Sequence, residues 1–302
     1  MKTKRGLSRK EFDMKFGTNQ QCITFLHDQK WNQGFVCRTC HHDQFRVGKK
    51  RLFKRCLRCG KEESPTAHTL FHKVKFDLYK AFGMIYDILT SKKGANTIWL
   101  AERYEVSQNT AWLFKRKVQY YLASSKNHPL REMVHVDEFE IGTPKTGEQG
   151  RSVSQTKKRV VIATEILENG KMGNAYAQII NDFSSKSLIK IFNDHIDKDA
   201  RIKTDKWTGY RPIKEFFKGL TQEISDAGKN FPEIHIQIRN FKNWLRGTHS
   251  FCTEHTLQDY INEYFYRFNR RNNRNTIVDN ALINRFLRIK PPTYSQITTF
   301  AT

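Results

Sequence analysis

The chain has 302 residues, with 53 Lys and Arg against 30 Asp and Glu, a formal charge of +23 and a pI near 9.8. No apolar run is long enough to span a membrane, and no apolar h-region follows the basic start Met1-Lys2-Thr3-Lys4-Arg5, so neither a membrane span nor a signal peptide is expected. Self-repulsion at this charge adds nothing to stability. The composition therefore points to a polyanionic partner, and to a cytoplasmic protein of two or three domains.

Ser8-Arg9-Lys10-Glu11 and Thr18-Asn19-Gln20-Gln21 both read as capping boxes, so two short helices are expected first. The second should bury Ile23, Leu26 and Cys22 and end near Trp31. Cys37, Cys40, Cys56 and Cys59 follow as two C-x-x-C knuckles, the spacing of a zinc ribbon. Each knuckle offers two thiolates from one tight turn, and two turns close a tetrahedral shell around one Zn2+. Between them, Gln44–Val47 and Arg51–Arg55 read as a hairpin turning at Gly48-Lys49-Lys50. Gly60 is placed where a knuckle needs positive φ, and His41 and His42 are read as surface residues. Cys22 and Cys252 are read as reduced thiols. Residues 1–62 carry 16 Lys and Arg against 5 Asp and Glu, and Arg46, Lys54 and Arg55 are the ribbon's candidate DNA contacts. Ser64-Pro65 ends this region.

From Phe76 to about Leu122 the apolar positions recur at helical spacing. One helix carries Leu78, Phe82, Ile85 and Leu89, and a second carries Ile98, Leu100 and Ala101. After the Tyr104–Ser107 turn a third begins, and the last pair fits a helix-turn-helix. Gln108, Asn109, Thr110, Lys115 and Arg116 on its second helix are expected to meet DNA. His128-Pro129 marks a boundary. Beyond it, Glu132–Asp137, Val160–Glu165 and Asn174–Ile180 read as strands, with a hairpin turn at Asn169-Gly170. Ser184-Ser185 caps a helix, and Ala200–Asp205 is a further short strand. Strands and helices in this order imply a mixed α/β sheet. The polar, glycine-containing stretch 142–156 is expected to be a mobile loop.

Asp137 and Asp205 each end an expected strand. Were those strands neighbours, two carboxylates would emerge together, and without a cation one would take up a proton. Bound Mg2+ or Mn2+ removes that conflict, and paired ions of this kind serve phosphoryl transfer. An acid at a strand end can equally be a plain surface residue.

Several segments, taken together, resemble the zinc-ribbon group of bacterial insertion-sequence transposases of the ISXO2-like type. They are Trp31–Cys37, Val106–Trp112, Val136-Asp137-Glu138, Thr204-Asp205, Trp207-Thr208-Gly209-Tyr210, Asn240–His249 and Tyr260 through Asn269-Arg270-Arg271. The resemblance spans nearly the whole chain. It implies a ribonuclease-H-like domain with a DDE-type acidic triad, divalent metal and DNA strand transfer. In that family the third metal ligand, Glu or Asn, stands twelve residues before a Gly-Thr pair and seven before a lysine. Counted back from Gly247, this position is His235, and the lysine is Lys242. The implied catalytic set is thus Asp137, Asp205 and His235 as Mg2+ or Mn2+ ligands, with Lys242 holding a phosphate. Glu233 competes with His235 as third ligand. Glu263 is read as pairing with Arg267, and Trp207 and Tyr210 as packing beside the second acid.

The sequence thus divides into N-terminal helices and zinc ribbon at 1–63, a helix-turn-helix region at 64–128 and a catalytic domain at 129–302. The leading expectation is a nucleoid-associated bacterial transposase. It would bind the element's terminal inverted repeats and target DNA as a homodimer or larger multimer. A DNA-binding regulator with an inert catalytic domain is the alternative, and a metal-dependent nuclease without strand transfer is a third.

Overall fold

The structure, a computed structural model, describes residues 8–142, 157–226, 229–249, 252–273 and 276–298. The chain forms two compact units. One combines the chain up to Leu122 with the segment from Asn272 onward, and the other is Ala123–Arg271.

In the first unit, α1 (Arg9–Phe16) and α2 (Asn19–Lys30) start at the Ser8 and Thr18 capping boxes, both fully formed. Phe12, Phe16, Cys22 and Leu26 are buried, while Ile23 stays half-buried. The hairpin between the knuckles pairs β1 (Phe45–Val47) with β2 (Lys54–Cys56), and an unexpected β3 (Glu62–Glu63) adds to the far side of β2. Three helices follow: α3 (Leu78–Thr90), α4 (Thr97–Tyr104) and α5 (Gln108–Tyr121). Every residue from Ala81 to Leu89 in α3 is buried, so α3 is the axis of the unit. Its one buried acid, Asp87, accepts from Arg9 Nη1 at 3.2 Å, Arg103 Nε at 2.9 Å and the Tyr104 hydroxyl at 2.5 Å. Two guanidiniums and a phenol satisfy a charge that would otherwise be costly to bury, and they pin α1 and α4 to α3.

The second unit opens with three antiparallel strands, β4 (Met133–Ile141), β5 (Lys158–Ile166) and β6 (Met172–Ile180). Next come α6 (Ser185–His195), β7 (Arg201–Asp205), a 3-10 turn at Thr208–Glu215, β8 (Leu220–Glu223), α7 (Pro232–Thr248) and α8 (Glu254–Phe268). The sheet order is β6-β5-β4-β7-β8, and β7 and β8 join in parallel. The sheet is mixed, as expected, with helices on both faces. Val134, Val136, Val161 and Ala163 face one core with α6, and Phe139, Val160 and Ile162 face another with α7 and α8. Asn169-Gly170 does turn the β5–β6 hairpin, with Gly170 at φ 73°. The sheet has a guarded outer edge. Asn269, just past α8, donates to Ala175 O at 2.9 Å and accepts from Ala175 N at 2.8 Å, and Gln258 accepts from Ile179 N at 3.0 Å. Arg271 donates to the Met172 carbonyl.

The remaining described segment holds α9 (Ile277–Ala281), a π-turn at Leu282–Phe286 and α10 (Tyr294–Thr298). It packs into the first unit: Phe286 O accepts from Leu70 N at 2.9 Å, and the Phe286 and Tyr121 rings lie 5.8 Å apart. The compact units therefore depart from the 129–302 division, because Ile277, Val278, Leu282 and Phe286 are buried in a segment that belongs with the first unit. No helix among the described residues is long and apolar enough to cross a membrane. The expected loop at 142–156 lies outside the described residues apart from Gly142.

Three expected DNA contacts must be corrected. Lys115 is buried and donates to Ala95 O at 2.7 Å. Arg116 is buried beside the Trp112 ring and the Ile297 carbonyl. The cause is packing, since α3, α4 and α10 cover α5 and leave mainly its first turn, with Gln108 and Asn109, in solvent. Lys54 is buried too, its ammonium 3.9 Å from the Phe45 ring centroid and 4.8 Å from that of Trp31.

Gly83 sits mid-helix in α3, where alanine normally helps. A Cβ there would lie 2.5 Å from Tyr104 Cε1 and 2.7 Å from the hydroxyl that serves Asp87. Gly83→Ala should therefore destabilise the first unit by about 1–3 kcal/mol. Urea unfolding measures it, and a raised midpoint would show that Tyr104 can step aside freely.

Candidate active site and metal centre

The site begins with strand register. Parallel pairing aligns Val134 with Ile202 and His135 with Lys203. Two residues further along the same alignment, Asp137 falls beside Asp205, on the face that carries His135 and Phe139. The two acids are thus brought together, although not as two strand ends. Only β7 stops at its acid, whereas β4 continues to Ile141 because β5 pairs with it throughout. Beyond Asp205 the β7 side of β4 is open, and Glu138 joins the cluster. One ligand oxygen from each of Asp137, Glu138 and Asp205 lies within 4.8 Å of the others. Glu138 was not foreseen, since strand alternation sends neighbours to opposite faces; the strand's open edge lets both reach the same gap.

Asp205 is held by its own turn. Its Oδ1 accepts from Trp207 N at 3.0 Å, and Gln222 Nε2 on β8 donates to Asp205 O at 3.1 Å and Trp207 O at 2.8 Å. The Trp207 indole donates to Phe183 O at 2.8 Å, tying the turn to the start of α6. Tyr210 is wholly buried below the cluster, and its hydroxyl pKa is pushed well up, by burial first and then by Glu138, Asp137 and Asp205.

Helix α7 supplies the rest. Pro232 opens it, and Ile234, Ile238, Phe241 and Leu245 bury its apolar stripe. His235, one turn in, places Nε2 3.6 Å from Asp137 Oδ2. Glu233 acts instead on His135, whose pKa burial lowers and whose charged form Glu233 favours. Lys242 lies two turns further along, its ammonium 5.3 Å from the Phe139 ring centroid. Burial and then Arg246 lower its pKa, against the pull of Glu140 and Asp137. Glu263 is fully buried and pairs with Arg267 at 3.6 Å. The donor set suits a hard divalent cation: three carboxylates converge, an imidazole adjoins, and without a cation the carboxylates would repel.

The four cysteines form the other centre. Their sulfurs all lie within 4.8 Å of one another, Cys37 to Cys59 at 3.5 Å and Cys40 to Cys56 at 3.6 Å. A tetrahedron with Zn–S of about 2.3 Å has edges of about 3.8 Å, so the set fits zinc. The knuckles match each other bond for bond. His41 N donates to Cys37 O at 2.9 Å and Gly60 N to Cys56 O at 3.1 Å, while Cys37 N and Cys56 N each donate to a carbonyl just past their knuckle. His41, at φ 58°, thus takes the place that Gly60, at φ 70°, takes in the second knuckle. Backbone N–H groups of Cys40 and Thr39 point at the Cys37 sulfur and pull its thiol down to about 6, favouring the thiolate.

Purified full-length protein should contain one zinc per chain. Cys37→Ser should remove it and unfold the ribbon, while leaving the Ala123–Arg271 unit intact by circular dichroism and limited proteolysis. Titration with Mn2+ followed by electron paramagnetic resonance should show binding that Asp137→Asn or Asp205→Asn abolishes. Unchanged binding in both would detach the metal from this cluster.

Residues 129–269 match the family described as the ISXO2-like transposase domain. No curated protein matches the chain. Among solved structures, the Mos1 transposase paired-end complex with left transposon end is similar at 12% identity and a TM-score of 0.33, over 66% of this chain and 76% of that one. The carboxylates of β4 and β7 and helix α7 all lie inside the matched segment, so the candidate site falls within the part of the chain that is similar to the ISXO2-like transposase domain.

Proposed function

We propose that the chain is a DNA transposase that binds the ends of its element through the first unit, then hydrolyses a phosphodiester and transfers the freed strand at the Asp137–Asp205 cluster. The observation that carries the reading is the convergence of Asp137, Glu138 and Asp205 beside His235, with Lys242 in the adjoining groove. Asp137, Asp205 and His235 would hold the divalent ions, and Glu138 is placed to join them. Bound there, the ions would activate the attacking oxygen and stabilise the leaving one. Lys242 is placed to hold a non-bridging phosphate oxygen, and its low-lying pKa reflects a desolvated ammonium whose field is strong at short range. Trp207 and Gln222 keep Asp205 fixed, so little reorganisation is needed when substrate arrives. Hydrolysis and strand transfer are both in-line displacements, so one constellation serves both.

For end binding, Gln108 and Asn109 are exposed at the first turn of α5, behind the Ser107 cap. On the ribbon, Arg46 and Arg55 stand directly opposite across β1 and β2. Like charges so placed repel, and a phosphate between them would relieve the repulsion. Structural zinc held by the four cysteines would fix that hairpin. Assembly as a multimer on paired ends belongs to the same proposal.

The test is cleavage and joining of DNA carrying the inverted repeats that flank the coding region, with Mg2+ or Mn2+. Asp137→Asn and Asp205→Asn should lose both products while retaining end binding. His235→Ala should lose about 100-fold or more in rate. His235→Glu should keep activity and shift its preference toward Mg2+, because a harder ligand replaces nitrogen. Full activity in Asp137→Asn sinks the mechanism, and an inactive but end-binding wild type would instead make the chain a regulator. In binding assays, Asn109→Ala should blunt the discrimination between end and random DNA. Arg46→Ala should weaken both and reduce the salt slope by about one. Lys115→Ala should act on stability instead.

A further inference from the structure

Beside the acids lies a groove of about 480 Å³ whose lining runs from Glu138 to Arg246. Its wall is apolar, from Phe139, Ile141, Phe183 and Leu245, and its rim carries Lys157, Lys242 and Arg246. Glu140, also in the lining, is already engaged by Lys157 at 3.5 Å and Arg159 at 3.9 Å. Lys242 and Arg246 have no ion-pair partner among the described residues, so the groove presents a cationic rim over an apolar wall. A track for duplex DNA needs the cations but not the wall, because a duplex shows phosphates outside and keeps its bases stacked.

We infer that this groove is a subsite for an unpaired nucleotide of the strand being processed. The base lies against Phe183 and the aliphatic wall, and its phosphate meets Lys242 and Arg246. The volume suits the occupant, since pockets for small ligands span about 300–1,000 Å³. The chemistry suits it as well: single-stranded DNA is held by stacking its π-faces on aromatic side chains within a basic groove. Phe183 is half-buried, with the Arg159 guanidinium 5.6 Å from its ring centroid, so the ring is braced against rotation. Its backbone carbonyl holds the Trp207 indole, which couples the subsite to the turn that carries Asp205. The inference rests on the transposase reading, and it adds that the DNA must be unpaired next to the bond that reacts.

The test uses the full-length protein without added Mg2+ or Mn2+. A twelve-residue oligodeoxythymidine carrying one 5-iodouracil is irradiated with the protein, alone or annealed to its complement, and the cross-linked tryptic peptides are mapped by mass spectrometry. The peptide carrying Phe183 should cross-link about 5-fold or more better from the single strand. Phe183→Leu keeps the apolar bulk and the backbone carbonyl but lacks the π-face, and Arg246→Gln changes an exposed side chain. Each should reduce that cross-link about 5-fold or more while leaving cross-links to the ribbon unchanged. Cross-links confined to the ribbon, equal yields from duplex, or no effect of either variant would overturn the subsite. Because the readout needs neither metal nor turnover, a chain that cross-links here yet cuts nothing keeps the subsite and loses the transposase reading. A chain that cuts DNA but cross-links elsewhere does the reverse.

Discussion

Everything at the candidate site depends on the parallel pairing of β4 with β7. The two strands are separated by a hairpin and a helix, and they meet only because β5 and β6 fold away on one side and α6 crosses back over the sheet. Val134, Val136, Ile202 and the α6 residues Leu188, Ile191 and Phe192 are buried together and fix the crossover. A slip of one residue would send Asp205 into that core and Thr204 into the cleft. Apolar packing on one face thus sets the spacing of charges on the other. The charges themselves oppose the arrangement, so the hydrophobic cores hold carboxylates together that would separate in water.

Charge is handled differently in the first unit. Asp87 is the buried acid of α3, and it gathers Arg9, Arg103 and Tyr104 around itself. Lys30 is similarly committed to Glu63 and to the carbonyls of Ser64 and Ala67. With Lys54, Lys115 and Arg116 also buried, part of the basic composition supports the fold rather than meeting a partner. The net charge of +23 therefore overstates the basic surface left free for a partner.

What could be read from the sequence follows from how local each signal is. The knuckle spacing, the two capping boxes and the Asn169-Gly170 turn involve residues a few positions apart, and each forms as expected. The acid at Asp137 suggests an end for β4, but the stop belongs to β7 and depends on a distant pairing. Strand β8, Leu220-Thr221-Gln222-Glu223, offers only one apolar residue as a pattern and is a strand because β7 offers it an edge. Lys115, Arg116 and Lys117 are consecutive on a helix and so spread over about 200° of its surface. Some of them had to face inward, but only the packing of α3, α4 and α10 decides which. Glu138 was hidden by its neighbour, since alternation argues against two adjacent ligands until the open edge of the strand is seen.

The side chains along β6 bear on assembly. An edge strand with free amides and carbonyls is a template for another chain, and natural proteins blunt it in various ways. Here Asn269 imitates a neighbouring strand at Ala175, offering the donor and the acceptor that a second β-ladder would supply, and Gln258 and Arg271 extend the imitation. Copies crowded on one DNA molecule would be at high local concentration, where open sheet edges would zip together without regard to the DNA between them. With Met172, Ala175 and Ile179 answered from within, β6 is a poorer template for a neighbouring protomer. Association of copies is thereby steered toward other surfaces, where DNA can have a say in it.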